Sequence, residues 1–487
     1  MTATVQEENM PHDIRVGMVR ATTYGLFSPP ELFVPQARAL GAGIVRVNIY
    51  WSQVEPEPGR FVWDAVDALL DQLGEGDEAW VTVCASSPWA TRRGTRWLPA
   101  SPALEIGRYR RFVTELVGRR PGAIRFWQCE IEPCLPLFWA GTAEEYLTQL
   151  GAFHTAAKGA DPAALVVLGG AVPGAMLGDG QAGAGTWAAF FGQVLRDGSE
   201  YFDVFDIHPY GDAYEVPALI EACRTQLAAH GCRQLVVASE HSGPLPTDFP
   251  ENLPYLAEAL AAHQRQFLGE VPMPDTIEDL QATEEHTVVA LYERRDELPP
   301  ALQMFLADCP ADLESERHRI ACTDLVVRTV LALAAGVRRN LYYALGPEWK
   351  LKRHLRITPI LMFGKLALMD YTGDAIAHRY PAADTFALMT RHLDQVARVD
   401  RITVPDRPDI YLFEVRRTRR TPLLIAWRRP ASAHRDDRPP TELVWEWPHP
   451  HARAVDALGT STPVELHDGE IKISVSSTPV FIDTTLH

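Results

Sequence analysis

The chain has 487 residues, 46% hydrophobic and 22% charged, which is ordinary for a globular protein and long enough to bury a large core. Its formal charge of -17 argues against a nucleic-acid partner, because an acidic surface repels phosphate backbones. No run reaches the roughly 20 apolar residues that span a bilayer, so no membrane partner is expected. The polar opening MTATVQEENMPHD lacks the basic and apolar stretches of a secretory signal, and a cytoplasmic location is expected. Seven irregularly spaced cysteines with no CxxC pair suit neither a zinc site nor a disulfide framework. Twelve tryptophans fit a large core or a ring-binding site equally well.

In chain order, short apolar runs alternate with amphipathic helical patterns. The runs are IRVGMV (14–19), IVRVNIYW (44–51), AWVTVCAS (79–86), AIRFWQCEIE (123–132), ALVVLGGAV (164–172), FDVFDIHPY (202–210), QLVVASEHS (234–242) and VRRNLYYAL (337–345). Eight βα units predict an α/β fold, a (β/α)8 TIM barrel, rather than an open sheet, because no glycine-rich phosphate loop follows the first run. Residues 245–316, rich in Pro, Glu and Leu, interrupt the seventh unit, and in a barrel they would lie over the face formed by the strand C-termini. Residues 346–382 carry Trp349, Lys350, Lys352, Arg353, His354 and Arg356, either a solvated loop or an anion-binding one. The eighth helix is expected at 384–399. Beyond it the period becomes alternating, in DIYLFEVRR, TPLLIAWRR, TELVWEWP, IKISVSS and PVFID. This predicts a catalytic barrel over 1–398 and an all-β sandwich domain over 399–487.

Barrel chemistry gathers at strand C-termini. The fourth strand ends on Glu130 and Glu132 and the seventh on Glu240. Two carboxylates on opposite sides of one mouth are what glycoside hydrolysis requires, one to protonate the leaving oxygen and one to attack the anomeric carbon or activate water. Acids at this end also serve barrels as metal ligands or proton-transfer bases. Glu130, two residues before Glu132, would point to the same side of a strand. There it would either raise the pKa of Glu132 or pair with Arg46, the second being preferred. His208 is a core histidine or a site residue, and HPYG at a strand end favours the site.

The segments FWQCEIEPC, VRVNIYWSQVEPEPGRFVWDAVDALL, SSPWA, FWAGTAEEY, YFDVFDIHPYG and LVVASEHSG together resemble clan A retaining glycoside hydrolases, nearest the β-xylosidase-like family thirty-nine and its endoglycosidase relatives. The likeness spans roughly residues 14–243 and 318–487. It implies retaining hydrolysis of a β-glycoside, with Glu132 as general acid/base and Glu240 as nucleophile. With the polar and aromatic residues at the other strand ends, the expected substrate-binding set is Arg46, Trp51, Trp89, Glu130, Ile131, Trp139, His208, Tyr210, His241, Tyr343 and Trp349, with His208 and Tyr343 close enough in barrel order to orient Glu240. No metal and no cofactor are expected. One position departs from the pattern: where the group carries an asparagine that hydrogen-bonds the sugar 2-hydroxyl, this chain has Ile131. The substrate therefore lacks a free 2-hydroxyl, or another residue makes the contact, or hydrolysis is weakened. A small or modified glycoside is the expected partner, and oligomeric state stays open. The rival class is a repurposed barrel, performing elimination, isomerisation or transglycosylation in small-molecule biosynthesis, or a weakened sugar-binding protein.

Overall fold

A computed structural model describes residues 12–20, 22–178, 183–268, 279, 283–348, 355–431 and 438–484. Eight parallel strands close into a barrel: β1 (Arg15–Val19), β2 (Ile44–Tyr50), β3 (Glu78–Cys84), β4 (Phe126–Cys129), β5 (Leu165–Ala171), β6 (Val204–Ile207), β7 (Leu235–His241) and β8 (Arg339–Tyr343). The outer layer holds α1 (Val34–Ala39), α2 (Asp64–Gln72), α3 (Ile106–Val117), α4 (Ala143–Ala160), α5 (Ala184–Gly198), α6 (Val216–Ala229), α7 (Ala311–Ala334) and α8 (Pro381–His392). The helices form where apolar residues recur at helical spacing. In α3 the buried positions are Tyr109, Phe112, Val113, Leu116 and Val117, one stripe against the sheet. The start of α4 is set by Thr142, whose hydroxyl accepts from Glu145 N while Glu145 accepts from Thr142 N.

The barrel interior is layered. Glu78 and Arg339 pair at the floor. Above them Trp80 stacks on Phe126, centroids 5.1 Å apart, within an apolar layer that includes Val167, Val204, Val237 and Leu341. The next layer towards the mouth is polar: Arg46, Thr82, Gln128, Asp206 and Ser239, all fully buried. The two-residue period of the strands generates these layers, since inward residues alternate with residues facing the helices.

Two expected boundaries move. The helix read at 384–399 ends at His392, and Val396–Ile402 is a strand, because Val-Ala-Arg-Val-Asp-Arg-Ile alternates once Gln395 has turned the chain at φ 57°. In the segment read as an insertion, α7 already begins at Ala311. Ahead of it, helices Leu253–Phe267 and His286–Glu293 build a small core, including Phe249, Leu256, Leu302 and Phe305, that packs on Ile320 of α7.

A hairpin, β9 (Met369–Thr372) with β10 (Ala375–Arg379), precedes α8. The C-terminal strands are β11 (Val396–Ile402), β12 (Ile410–Arg417), β13 (Leu423–Arg428), β14 (Thr441–Glu446), β15 (Arg453–Asp456), β16 (Ser461–Thr462), β17 (Val464–His467), β18 (Glu470–Val475) and β19 (Val480–Asp483). They form a six-stranded sheet, β11-β12-β13-β19-β15-β16, and a three-stranded sheet, β14-β18-β17. Alternation gives the large sheet two buried faces. Ile410, Leu412, Leu424 and Ala426 pack with Leu443, Ile471 and Ile473 of the small sheet. Tyr411, Phe413, Ile425 and Trp427 instead join the core of the barrel's helical layer. The seat is aromatic: Trp427 stacks on Phe413 at 5.0 Å and donates to Tyr214 Oη at 3.0 Å, on the loop after β6.

Trp427→Ala should therefore cost about 3–5 kcal/mol, the range for emptying a buried tryptophan site. The check is the unfolding midpoint in guanidinium; a change under about 1 kcal/mol would mean the sandwich is seated elsewhere.

Candidate active site

The strand ends bring Glu132, His208 and Glu240 together, with one ligating atom of each inside 4.8 Å of the others. Glu240 reaches the mouth through an irregularity in β7, whose register against β8 shifts between Ala238 and His241. Ser239 and Glu240 then both face inward and both meet Arg46. Arg46 Nη1 donates to Glu240 Oε2 and to Ser239 Oγ at 2.9 Å each, and its Nε donates to Thr82 Oγ1 at 2.9 Å. Tyr210 Oη donates to Glu240 Oε1 at 2.6 Å. Both oxygens of Glu240 are thus held by rigid donors.

Glu132 has a different environment. Its Oε1 lies 2.6 Å from His208 Nδ1, and His208 Nε2 lies 3.1 Å from Asp206 Oδ2. Asp206 also accepts from Gln128 Nε2 at 2.7 Å, from Ser239 Oγ at 2.6 Å and from Ser239 N at 2.9 Å. Space for the imidazole comes from β5: a Cβ on Gly170 would sit 2.3 Å from His208 Nε2. Burial raises the pKa of Glu132; the hydrogen bond and charge of His208 pull it down, the charge of Glu240 pushes it up, and the net shift is upward. Burial alone would lower His208, but the charges of Glu240 and Asp206 and the hydrogen bonds to Asp206 and Glu132 outweigh it and raise it to about 10. Asp206, which burial would raise, is lowered chiefly by the charge and hydrogen bond of His208.

The three grouped side chains are close enough to surround a cation. Yet Glu240 already has a guanidinium on one oxygen and a phenol on the other, a donor set that favours a fixed carboxylate over a metal ligand.

Above these groups lies a cavity of about 1200 Å³, lined by Glu132, Glu240, Ile131, Tyr210, Tyr343 and, from the insertion, Leu245, Leu260 and Phe305. It exceeds the roughly 300–1,000 Å³ of common small-molecule sites.

Several residues expected around the substrate face elsewhere. Glu130 does not pair with Arg46. It is fully buried behind the sheet, accepting from Ala85 N at 3.0 Å and Gln149 Nε2 of α4 at 2.8 Å. Burial pushes its pKa up to about 8. The reason is the backbone: Glu130 has φ 61° and Glu132 φ 38°, so strand parity no longer holds. Trp51 stacks flat on Phe112 of α3 at 5.0 Å, and Trp89 donates to Glu55 O at 3.0 Å beside it. Trp139 packs edge-on against Tyr146 and donates to Thr142 O at 3.3 Å. His241, one residue past Glu240, faces the helices and lies 2.9 Å from Asn340 Nδ2. Arg46 has no exposed surface and sits beneath Glu240, out of reach of a ligand. His208 orients Glu132 rather than Glu240, and Tyr343 donates to Glu348, so Tyr210 and Arg46 hold Glu240 instead. Trp349 and the basic residues 350–354 lie outside the described residues, while Arg356 packs over the Tyr292 ring. Asp206, Ser239, Gln128 and Glu348 were absent from the expected set, although the first three lie at inward strand positions.

No protein-family model and no curated protein sequence matches the chain. Solved structures do. A family 39 glycoside hydrolase from the gut symbiont Bacteroides cellulosilyticus WH2 superposes with a TM-score of 0.61 at 14% identity, over 98% of this chain and 82% of that one. A family 39 β-xylosidase from Caulobacter crescentus gives 0.56 at 12% identity, over 97% and 96%. AbfB, a family 51 α-L-arabinofuranosidase from Bifidobacterium longum, gives 0.53 at 12% identity, over 98% and 97%. At these identities the likeness is one of fold, and it extends through barrel and sandwich together.

Proposed function

We propose that the chain is a retaining β-glycoside hydrolase acting on a small or modified glycoside. The observation that carries this reading is the pair Glu132 and Glu240. They lie within 4.8 Å by their nearest oxygens, in keeping with the roughly 5–5.5 Å carboxyl spacing of retaining enzymes and shorter than the 6.5–9.5 Å of inverting ones. Their surroundings differ as their tasks would. Glu240, fixed at both oxygens by Arg46 and Tyr210, is placed to attack the anomeric carbon. Glu132, buried and raised in pKa, holds the proton that the departing oxygen takes. With His208 hydrogen-bonded at Oε1, Oε2 is the atom that delivers it. In the second step Glu132 accepts a proton from the water that releases the sugar from Glu240, which restores both carboxyls. The barrel neighbours, glycoside hydrolases by description, add support from fold.

Glu240→Gln should abolish turnover of every glycoside, whereas Glu132→Gln should slow substrates with poor leaving groups by about 10²–10⁴-fold and activated aryl glycosides far less. Gln is preferred to Ala at 240 because its amide oxygen still accepts from the buried Arg46 Nη1, which Ala would leave unpaired there at a cost of about 1–3 kcal/mol. Unimpaired hydrolysis by the Glu240 variant would refute the assignment.

His208→Phe tests the positioning of Glu132. The imidazole's hydrogen bond and charge lower the Glu132 pKa while burial and Glu240 raise it. Removing His208 should move the alkaline limb of the kcat/KM profile to higher pH while kcat falls. A limb that stays put or moves down would place the controlling group elsewhere.

Ile131 lines the cavity and packs with Trp97, Leu98 and Ile357. It offers a sugar 2-hydroxyl no partner, and a hydroxyl buried against it loses about 1–3 kcal/mol. Ile131→Asn should raise the kcat/KM ratio of 2-hydroxy to matched 2-deoxy substrates by roughly fivefold, the worth of one hydrogen bond. An unchanged ratio, with wild type already preferring the 2-hydroxy sugar, would show that another residue makes the contact.

A further inference from the structure

The walls of the cavity differ in chemistry on the two sides of the carboxylate pair. On the Glu240 side, at the ends of β6, β8 and β1, the lining includes Tyr210, Tyr343, Glu348 and Thr22. The Glu348 carboxylate accepts from Thr22 N at 2.8 Å, from Thr22 Oγ1 at 2.8 Å and from Thr23 Oγ1 at 3.3 Å, and it also accepts from Tyr343. This side is mixed: its fixed polar groups suit a sugar ring and stand among apolar lining from Ile360, Phe363 and Leu366 after β8. On the Glu132 side, the segments after β4 and β5 contribute Leu135, Leu137, Phe138, Val172 and Leu177, and the first turn of α5 contributes Trp187. Among the described residues that line the cavity from β4 through the first turn of α5, the only polar side-chain groups are the Glu132 carboxyl and the Trp187 indole N–H.

We infer that the leaving group of the substrate is a large apolar aglycone, seated against the wall after β4 and β5, so that the substrate is an amphipathic glycoside rather than an oligosaccharide. The inference rests on the proposed role of Glu132. A general acid touches the glycosidic oxygen, so the group bonded to that oxygen on the far side from the sugar must begin beside Glu132. A second sugar there would present three or more hydroxyls to leucine and valine side chains, each hydroxyl losing water without gaining a partner. Aromatic residues alone would leave the choice open, since a ring can stack on a sugar face. The aliphatic majority of this wall decides it, because leucine and valine recognise only apolar surface. The volume agrees: about 1200 Å³ is more than one sugar ring needs, which leaves room for a large aglycone.

The test is a titration of Glu240→Gln, which binds without turnover, with methyl, butyl, hexyl and octyl β-D-glucopyranoside and with cellobiose, by calorimetry. Each methylene buried in the wall should tighten binding roughly three- to fourfold, and the heat-capacity change should grow more negative with chain length. The Leu135→Ser/Leu177→Ser double variant should flatten this slope; the slope in the parent protein stands as evidence even where the double variant fails to fold. A slope below about 1.5-fold per methylene, or cellobiose binding as tightly as the octyl glucoside, overturns the inference. The slope depends on the aglycone alone, so the two readings separate. Turnover of disaccharides by wild type without a slope removes the apolar aglycone and keeps the hydrolase. A steep slope with no hydrolysis of any glycoside keeps the apolar site and removes the hydrolase.

Discussion

The buried guanidinium of Arg46 is the constraint around which the mouth of the barrel is arranged. It has no exposed surface, and a charge so placed is tolerable only with a close counter-charge and further hydrogen bonds. Glu240 supplies the charge; Thr82 and Ser239 supply acceptors. Each acceptor is itself tied down. Thr82 donates to Gln128 Oε1 at 2.6 Å, Gln128 donates to Asp206, and Ser239 donates to Asp206. The result is one polar layer shared by five strands. The Glu240 carboxylate is thereby positioned by the barrel itself and not by a loop, which gives it the fixed geometry that the proposed nucleophilic role needs.

The same layer ties the second carboxyl to the first. Asp206 is the junction: it receives the Arg46 network on one side and faces His208 on the other. His208 then meets Glu132. Two acids on opposite sides of the mouth thus share a single hydrogen-bonded support, and the charge of one is felt in the pKa of the other. The arrangement requires room on β5. Gly170 provides it for the imidazole. Gly169 provides it for the turn after β4, where an added Cβ would lie 2.7 Å from Pro133 Cδ. The pair of glycines in LGGA is therefore part of the site's construction although neither offers a functional group.

Much of this was legible in the sequence, and the residues that were not share a cause. The eight strands could be read because each is a near-continuous apolar run between an amphipathic helix and a polar turn. Glu132 and Glu240 could be read because an acid ending such a run has few structural reasons to be there. The tryptophans could not. Trp51 and Trp89 stand at or just beyond strand ends and Trp139 in the loop after β4, but an aromatic there looks the same in sequence whether it faces the mouth or the helices. Parity would have settled one of them: Arg46, Asn48 and Tyr50 share one face of β2, so Trp51 follows an inward residue. Parity also marks Gln128 and Asp206 as inward, although each stands one residue short of its strand end. It would have failed at Glu240, where the β7 irregularity puts two successive residues on the same side, and the sequence carries no mark of that shift. The strand Val396–Ile402 was hidden for a simpler reason, since its valines and isoleucine also fit a continuing helix.

Glu-Ile-Glu-Pro, the end of the fourth strand, shows how backbone and chemistry are joined. On a regular strand the two acids would share a face, and two buried carboxylates side by side would raise each other's pKa at a cost in stability. The chain avoids this with two left-handed residues, Glu130 at φ 61° and Glu132 at φ 38°. Each such residue costs roughly 1–2 kcal/mol. The first sends Glu130 behind the sheet, where Ala85 N and Gln149 bind it. The second lifts Glu132 into the mouth beside His208. Glu130 remains fully buried with no cation among its hydrogen-bond partners in the described residues, and burial pushes its pKa upward; it serves as a hydrogen-bonding brace for the turn. Ile131, between them, is left facing the cavity with an apolar side chain. The local geometry thus separates three consecutive residues into a brace, a wall and an acid, and only the last of these has a role that residue type alone would suggest.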